Sequence, residues 1–331
     1  MTAPPPSLRY EGPTYHGQPM LKPSVYGALI WGYTWLAGLA GSSQVLATVA
    51  DLSGRAGLRS MVWQGRTLAA FLPVIGAGLL VADLHTPQRF YNMLRIFRAT
   101  SPMSIGSYVL SAFGFASAVT AWAGWTGREG LARASELPAA TAGAGMSVYT
   151  AALLSATSTP LWSAAPRALA GQFAASAFAT GAAALSIGQI LRGDHATAAR
   201  LEQLAGAAAL VEFGFGRSAQ RSWRRCGVDA VLHERGIRAS RLGGDLLGVA
   251  LPLACLAANT VRARRSPVLT VAGALGVLAG GLAMRAAVFE AGNRSAQRPQ
   301  DAFAMARVPH ADGQSDAPGR PQEAGYAAGR A

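Results

Sequence analysis

Polar side chains inside long apolar runs are the residues of this sequence best suited to chemistry. Such groups are costly in hydrocarbon, so they commonly bind ligands, carry protons or pair between helices. Single glutamines are typical interhelical hydrogen-bond partners, whereas Arg285 and Glu290 are expected to anchor the end of the last run at the membrane interface. The full set comprises Gln44, Gln64, Arg66, Tyr149, Gln172, Gln189, Glu212, Arg285 and Glu290.

Glu212 has two possible roles in this setting. A carboxyl group inside an apolar run can carry protons during a reaction. It can equally pair with an arginine of a neighbouring helix, such as Arg66, and hold two helices together. The sequence favours neither role.

The cysteines and histidines restrict the redox cofactors that this chain can hold. Cys226 and Cys255 are the two cysteines, and neither lies in the paired spacing of a zinc or iron-sulfur site. The five histidines fall in the tails, in loops or just past a helix end, so no pair is expected to ligate a haem within a helix bundle. We therefore expect neither haem nor an iron-sulfur cluster in this chain.

The segment from residue 83 to residue 104 differs from its surroundings in its density of polar and charged residues. Pro87 ends any helix that precedes it. Arg89, Arg95 and Arg98 are spaced along one side of a short helix, whose apolar residues would face the membrane boundary. One interpretation is an interfacial turn in which Asp83 pairs with Arg89.

The elements that position these residues are expected to be membrane-spanning helices. Only 14% of the 331 residues are charged, 51% are hydrophobic, and the mean hydropathy is +0.24. Apolar runs of about 20 residues, the length that crosses a bilayer core, recur along the chain. We predict an all-α polytopic membrane bundle, with small residues allowing close helix packing. Its eight spans lie at about 25–50, 61–82, 105–125, 139–160, 165–191, 199–215, 243–261 and 268–289.

The bundle, residues 25–290, is flanked by two segments of different composition. Residues 1–24 are polar and Pro-rich and lack the pattern of a signal peptide. Residues 291–331 are rich in Gly, Pro, Gln and Arg, and we expect disorder there beyond the first turn or two. The net charge of +13 comes mainly from arginines between apolar runs, which indicates contact with lipid head groups and not with nucleic acid.

The loop sequence DLHTPQRF followed by NMLRIFRATSPMSIGSY resembles the signature of the NrfD family, the membrane subunits of polysulfide-reductase-like complexes. Further similar segments are YHGQPMLKP before the first span, GLAGSS within it, YTAALLSATSTPLW, GGDLLGVALPL and GGLAMRAAVFEAG. The similarity covers nearly all of residues 15–296. Three positions depart from the family pattern: His85 and Thr86 replace a Gly-Arg pair, and Ala99 replaces a proline.

The resemblance implies a multi-pass subunit of the prokaryotic plasma membrane that binds menaquinone or ubiquinone. It would exchange electrons with a ferredoxin-like iron-sulfur subunit, which serves a catalytic subunit that in this family is often a molybdopterin enzyme. On this basis Tyr33, Gln44 and Tyr149 are candidate quinone contacts, and Asp83 and Glu212 are candidate proton carriers. The candidate partner-docking residues of the motif loop are Asp83, Pro87, Arg89, Asn92, Arg95 and Arg98.

Two other functions stay open on the sequence: a transporter or channel without redox activity, and a passive membrane anchor for a peripheral complex. Transporters often contain inverted repeats, but the two four-span halves of this chain show no evident similarity. The side of the membrane is also open. The excess of Arg and Lys beside the termini favours a cytoplasmic location for them and for Asp83, whereas the resemblance suggests a quinone site toward the outer face.

Overall fold

The computed structural model describes residues 21, 22, 24, 26–84 and 86–307, and these form helices and connecting loops without a β-strand. Eight long helical segments follow the expected spans closely. Their bounds are α1 Ala28–Leu52, α2 Arg59–Ala82, α4 Pro102–Trp125, α5 Glu129–Ser155, α7 Pro166–Leu191, α8 His195–Arg225, α9 Arg235–Asp245 continued by α10 Leu251–Val261, and α11 Pro267–Ala296. A π-helical turn, Leu246–Ala250, joins α9 to α10. The short helices are α3 Asn92–Arg95, α6 Pro160–Ser163 and α12 Pro299–Ala306.

Six of the long segments are apolar enough, over a sufficient length, to cross a membrane; α1 and α8 are not among them. The α8 helix carries Glu202, Glu212 and several arginines. In α1, the serines, Gln44 and Thr48 are buried against neighbouring helices. The lower hydropathy of this helix therefore does not mean that its polar groups face lipid. The prediction of an all-α polytopic membrane protein is confirmed, while the count of eight spans stays a prediction.

The long helices form two four-helix groups. Helices α1, α2, α4 and α5 pack together as the first group, and α7, α8, α9–α10 and α11 form the second. Contacts of α7 with α1 and α5, and of α11 with α1, join the groups. The backbones approach closely at Gly41 and Gly143 between α1 and α5, and at Gly248 and Gly280 between the π-helical turn and α11, where an added Cβ would overlap the facing backbone. Small residues therefore permit the tight packing that the sequence predicted.

Proline and glycine mark many of the helix ends. Proline occupies the first turn of α4, α7 and α11, where its missing N–H has no intrahelical acceptor to lose. Gly54 and Gly193 have φ values of +66° and +78°, so they terminate α1 and α7 in a conformation that other residues rarely adopt. Because consecutive long helices run in opposite directions, the loops alternate between two ends of the bundle.

One end, called the motif end, holds the start of α1, residues 83, 84 and 86–101, residues 226–234 and the end of α11; the other end is called the distal end. At the motif end, α11 continues beyond residue 290, the expected boundary of the bundle, and α12 follows it. Glu234 lies within 2.8 Å of the Arg294 guanidinium and 3.4 Å of that of Arg298. These ion pairs connect the α11–α12 region to the loop before α9.

Candidate functional site

A cavity of about 370 Å³ lies at the motif end of the first helix group. Helices α1, α2, α4 and α5 form most of its wall, and α3 and α11 each contribute a residue, Met93 and Phe289. Leucine, isoleucine, methionine and aromatic side chains make the lining predominantly apolar. A few polar groups reach into this apolar space, as is usual in pockets for small organic molecules.

Tyr33 of α1 and Tyr149 of α5 face the cavity from two helices. The Tyr149 hydroxyl donates to the Pro102 carbonyl at 2.9 Å, and its ring lies where a side chain at Gly106 would be. Tyr33 is 6% exposed and packs on Gly76, where an added Cβ would lie 3.2 Å from the ring. Its hydroxyl makes no hydrogen bond with the described residues, so it is available as a donor to a ligand.

Asp83 brings a carboxyl group to the same cavity. It is the C-cap residue of α2, and its side chain is half-buried at the motif end. No Lys, Arg or His nitrogen of the described residues lies within 4.0 Å of its carboxylate. Arg89 therefore does not pair with it. The proposed Asp83–Arg89 turn is therefore not present in this structure. The structure instead brings together three of the predicted site residues, Tyr33, Tyr149 and Asp83.

An aromatic cluster forms the wall of the cavity toward α11. The Tyr26 ring lies 6.2 Å from that of Trp162 and 6.0 Å from that of Phe289, centroid to centroid. The Trp162 indole donates to the Val288 carbonyl at 2.9 Å and fills the space left by Gly292. The segments YTAALLSATSTPLW and GGLAMRAAVFEAG, which are far apart in sequence, thus meet beside the cavity.

A second apolar space, called the α2–α4 groove, adjoins the cavity. Its volume is about 390 Å³, and Leu80, Leu84, Met93, Ser107 and Leu110 line both spaces. The groove continues along α2 past the exposed side chain of Val74 to Ala70. Because exposed apolar side chains of a spanning helix face lipid, the groove connects the cavity with the hydrocarbon of the membrane.

The motif loop covers the cavity at this end of the bundle. Pro87 begins a 3₁₀ turn, Asn92 begins the single helical turn α3, and the Tyr108 hydroxyl donates to the Leu94 carbonyl at 2.8 Å. The side chains of Phe90 and Leu94 line the α2–α4 groove, as the predicted apolar side of the loop requires.

Arg89, Arg95 and Arg98 of the same loop are exposed. None of the three forms an ion pair with a carboxylate in the described part of the chain. The loop therefore presents three exposed positive charges at the motif end, unpaired within the described part of the chain.

Gln44 and Glu212, the two other predicted site residues, lie away from this cavity. Gln44 is completely buried in α1 and donates to the Thr48 hydroxyl at 3.2 Å, closer to the distal end. Glu212 is buried in the second helix group and lines a separate small space together with Gln172 and Asp245. The site therefore contains one of the two predicted proton carriers, Asp83.

The alternative in which Glu212 pairs with Arg66 is wrong. Arg66 instead lies 2.6 Å from the Glu136 carboxylate and 3.1 Å from that of Asp51, linking α1, α2 and α5 near the distal end. Glu136 is 1% exposed. It escaped the sequence analysis because the fourth span was expected to begin at residue 139, whereas α5 begins at Glu129.

Arg285 does not anchor the bundle at the interface, as its position in sequence suggested. It is 1% exposed, and one guanidinium nitrogen donates to the Ser176 hydroxyl at 2.9 Å and to the Gly281 carbonyl at 3.1 Å. The extension of α11 to Ala296 places Arg285 about three turns from the helix end. Glu290 does lie near the surface, 3.0 Å from Arg294.

Gln64 of α2 and Gln189 of α7 behave as the interhelical partners that the sequence suggested. Gln189 donates to the side-chain oxygen of Gln64 at 2.7 Å, and Gln64 donates to the Ala184 carbonyl at 3.1 Å. These bonds connect the two helix groups. They leave Gln64 and Gln189 without a direct role at the motif-end cavity.

Comparison with known proteins identifies one family. The family model described as "Polysulphide reductase, NrfD" matches residues 17–295, which is most of the chain and includes every helix that lines the cavity. No curated protein matches the chain. Within the described residues, no group of three or more His, Cys, Asp or Glu side chains is arranged to hold a metal ion.

Proposed function

Because this chain belongs to the NrfD family, the membrane subunits of polysulphide-reductase-type complexes, we propose that it binds a membrane quinone in the motif-end cavity. The observation that carries this proposal is the convergence of Tyr33, Tyr149 and Asp83 on one apolar cavity from three different helices. A quinone head group is apolar and flat, with a hydrogen-bond acceptor at each of two carbonyl groups. The two phenols can supply donors, and the carboxyl group can exchange a proton.

The α2–α4 groove supports the binding of a ligand with a long apolar tail. It opens from the cavity toward lipid, and its lining is almost entirely apolar. An isoprenoid chain, present in both menaquinone and ubiquinone, could lie there while the head group occupies the cavity. Close packing of the chain in the groove would help to hold the ligand in place, because packing and not the hydrophobic effect drives association within hydrocarbon.

The two tyrosines hold the head group in different ways in this proposal. Tyr33 has a hydroxyl without a partner among the described residues and donates directly to one carbonyl oxygen. Tyr149 donates to the Pro102 carbonyl at 2.9 Å in the absence of ligand, so it must exchange that bond for one to the ligand. Tyr33 is therefore expected to contribute more to affinity, because its donor gives up no protein partner on binding.

Asp83 is better placed than Glu212 to move protons to and from the bound quinone. It lines the cavity and is half-exposed at the motif end, so it can receive a proton from the ligand side and release it toward water. Reduction of a quinone adds two electrons and two protons, and oxidation of the quinol removes them. Asp83 would carry these protons one at a time.

Electrons would enter or leave through an iron-sulfur subunit docked on the motif loop. The exposed charges of Arg89, Arg95 and Arg98 suit a partner with an acidic surface. Such a partner, of the ferredoxin type, would place its cluster above the cavity and would in turn serve a catalytic subunit, often a molybdopterin enzyme in this family. In this proposal Pro87 and Asn92 shape the contact by starting the two turns of the loop, and Asp83 lies on its cavity side.

The test is binding of a fluorescent quinol analogue, 2-heptyl-4-hydroxyquinoline N-oxide, to the purified chain. Binding should be saturable and should weaken about fivefold to thirtyfold on Tyr33→Phe, as expected for loss of one or two kcal/mol of hydrogen bonding. Tyr91→Phe, an exposed tyrosine outside the cavity, is the matched control. No saturable binding of this analogue or of menaquinone and ubiquinone would overturn the proposal.

Two further outcomes would point to the other functions. Ion flux in liposomes containing this chain alone, with no quinone binding, would indicate a transporter or channel. Unchanged electron transfer between the complete complex and quinone in a variant that combines Tyr33→Phe, Tyr149→Phe and Asp83→Asn would indicate a passive anchor.

A further inference from the structure

A cleft rich in arginine lies between α8 and α9 at the motif end, in the second helix group and apart from the cavity described above. Its volume is about 410 Å³. Arg217 and Arg224 of α8 and Arg238 and Arg241 of α9 line it, together with the His233 side chain. Asp245 is the one acidic residue among its lining residues. The cleft is therefore strongly positive.

These arginines are largely without carboxylate partners. Arg224 lies 3.8 Å from Asp229, an exposed and weak pair. The guanidinium groups of Arg217, Arg238 and Arg241 form no ion pair with any residue that the structure describes. Like charges gathered around one cleft repel one another, so an anion bound between them would relieve this repulsion.

The cleft lies at the boundary between polar and lipid-facing surface. Arg217 is eight residues before the end of α8 and Arg241 six after the start of α9, about 12 Å and 9 Å along the helices. Immediately deeper in the bundle, Phe215 on α8 and Leu242 on α9 are exposed. The arginines of both helices thus stand at one level, directly above apolar surface.

The apolar surface continues below the cleft on both helices. Exposed large side chains include Leu210, Val211, Phe213, Leu242, Leu246 and Leu247. A ligand that places an anion among the arginines and acyl chains on this surface would satisfy both features at once. Basic pockets between membrane helices bind anionic lipid head groups in this way.

We propose that the cleft between α8 and α9 binds the phosphodiester of an anionic phospholipid through Arg217, Arg238 and Arg241, with the acyl chains along the exposed apolar residues below it. The chemistry recognised is a phosphate group, which a free phosphate ion shares. The adjoining apolar surface favours the lipid over the free ion. It also favours the lipid over an acidic protein segment, which would leave that surface without a matching group.

The experiment is native mass spectrometry of the full chain released from detergent, titrated separately with dioleoylphosphatidylglycerol, dioleoylphosphatidylcholine and inorganic phosphate. We expect saturable retention of phosphatidylglycerol and at least tenfold weaker retention of phosphatidylcholine. The double variant Arg217→Gln, Arg238→Gln should bind phosphatidylglycerol at least tenfold more weakly, because each arginine near the surface contributes about 1 kcal/mol of attraction. Both side chains are exposed, so the fold should tolerate the change.

The matched control is Arg262→Gln, Arg264→Gln, which removes the same charge from two exposed residues at the distal end. It should retain phosphatidylglycerol as the unmodified chain does. Equal weakening by both double variants would overturn the proposal, since general charge and not the cleft would explain the binding. Equal retention of the two lipids would overturn it as well.

Two further results would show that the cleft binds something other than a lipid. If inorganic phosphate displaces phosphatidylglycerol at equal concentration, the site recognises a free anion, and the lipid assignment is overturned. If the Arg217→Gln, Arg238→Gln variant loses the soluble subunits of its native complex while its lipid retention is unchanged, the cleft docks a protein, and the proposal is again overturned. Unfolding temperatures measured without added lipid check that both double variants are folded.

Discussion

The ring of Tyr149 occupies the space that a side chain at position 106 would fill. Gly106 lies in the second turn of α4, and Tyr149 crosses from α5 to donate to the Pro102 carbonyl in the first turn of the same helix. The absence of a side chain at residue 106 therefore sets the position of a phenol at the cavity. This contact ties the motif loop, which leads into α4, to the predicted ligand site.

Gly106→Ala should displace Tyr149 and break its hydrogen bond to Pro102. Overpacking of this kind costs about 1–3 kcal/mol of stability, and we expect weaker binding of the quinol analogue with it. Thermal unfolding in detergent and fluorescence titration are the measurements. Gly78→Ala is the control, because an added Cβ at this exposed helical position has open space around it. Analogue affinity in Gly106→Ala equal to that of the control would contradict a role for Tyr149 in binding.

The sequence predicted the helices well because their signal is simple. Each long apolar run corresponds to a long helix, and proline and glycine end many of them. The family resemblance also singled out Tyr33, Tyr149 and Asp83, since phenols can donate to quinone carbonyls and a carboxyl group can exchange a proton. Which of the candidates share a cavity depends on the packing of α1, α2 and α5. Packing of this kind leaves no local pattern in the sequence.

Two predictions failed because helices extend beyond the apolar runs that indicate them. Arg285 was assigned to a helix end because the apolar run stops near residue 289, but α11 continues through polar residues to Ala296. The partner of Arg66 was missed because Glu136 precedes Pro138 inside α5, where the proline resembles a helix boundary. Apolar length shows where hydrocarbon contact ends. A helix can extend further when ion pairs and buried contacts support it.

Glu136→Gln should destabilise the first helix group. It removes the carboxylate that lies 2.6 Å from Arg66 in a buried setting. Breaking a buried pair costs about 3–5 kcal/mol, and we expect about 3 because Asp51 still faces Arg66 at 3.1 Å. Denaturation of the purified chain measures the change. The control Glu129→Gln removes the charge of an exposed residue at the start of the same helix and should have little effect.

The double variant Arg66→Met, Glu136→Leu distinguishes an unpaired charge from a general packing defect. Replacing both members of a buried pair with apolar residues is often neutral or stabilising. The double variant should therefore be more stable than Glu136→Gln. If it is equally unstable, loss of packing and not an isolated charge accounts for the defect.

Asp194 should stabilise the start of α8 in a pH-dependent way. Hydrogen bonds from Thr197, from its side chain and then from its backbone N–H, hold the pKa of the Asp194 carboxyl below its usual range. A lowered pKa in the folded state means that the ionised carboxylate adds stability above the ordinary pKa of about 4, and that this stability is lost as pH falls through the lowered value. Asp194→Ala should cost about 0.5–2 kcal/mol at pH 7.

The measurement for Asp194 is thermal unfolding of both proteins between pH 7 and pH 3. The difference between unmodified chain and Asp194→Ala should be constant down to about pH 4 and should shrink below it. Asp194→Asn, which keeps an N-capping side chain without the charge, should retain most of the stability at pH 7. A difference that grows as pH falls would contradict this account.

Arg89→Gln, Arg95→Gln, Arg98→Gln should weaken association with the proposed iron-sulfur partner without unfolding the bundle. All three side chains are exposed and unpaired among the described residues, so their charges act mainly on an approaching surface. Co-purification from native membranes at increasing salt is the measurement: the variant should lose its soluble subunits at lower salt than the unmodified chain, because fewer charge contacts remain to be screened.

The control Arg55→Gln, Arg262→Gln, Arg264→Gln removes the same charge from exposed residues at the distal end, and it should retain the subunits. Equal loss from both triple variants, or from neither, would show that the partner does not dock through the motif loop.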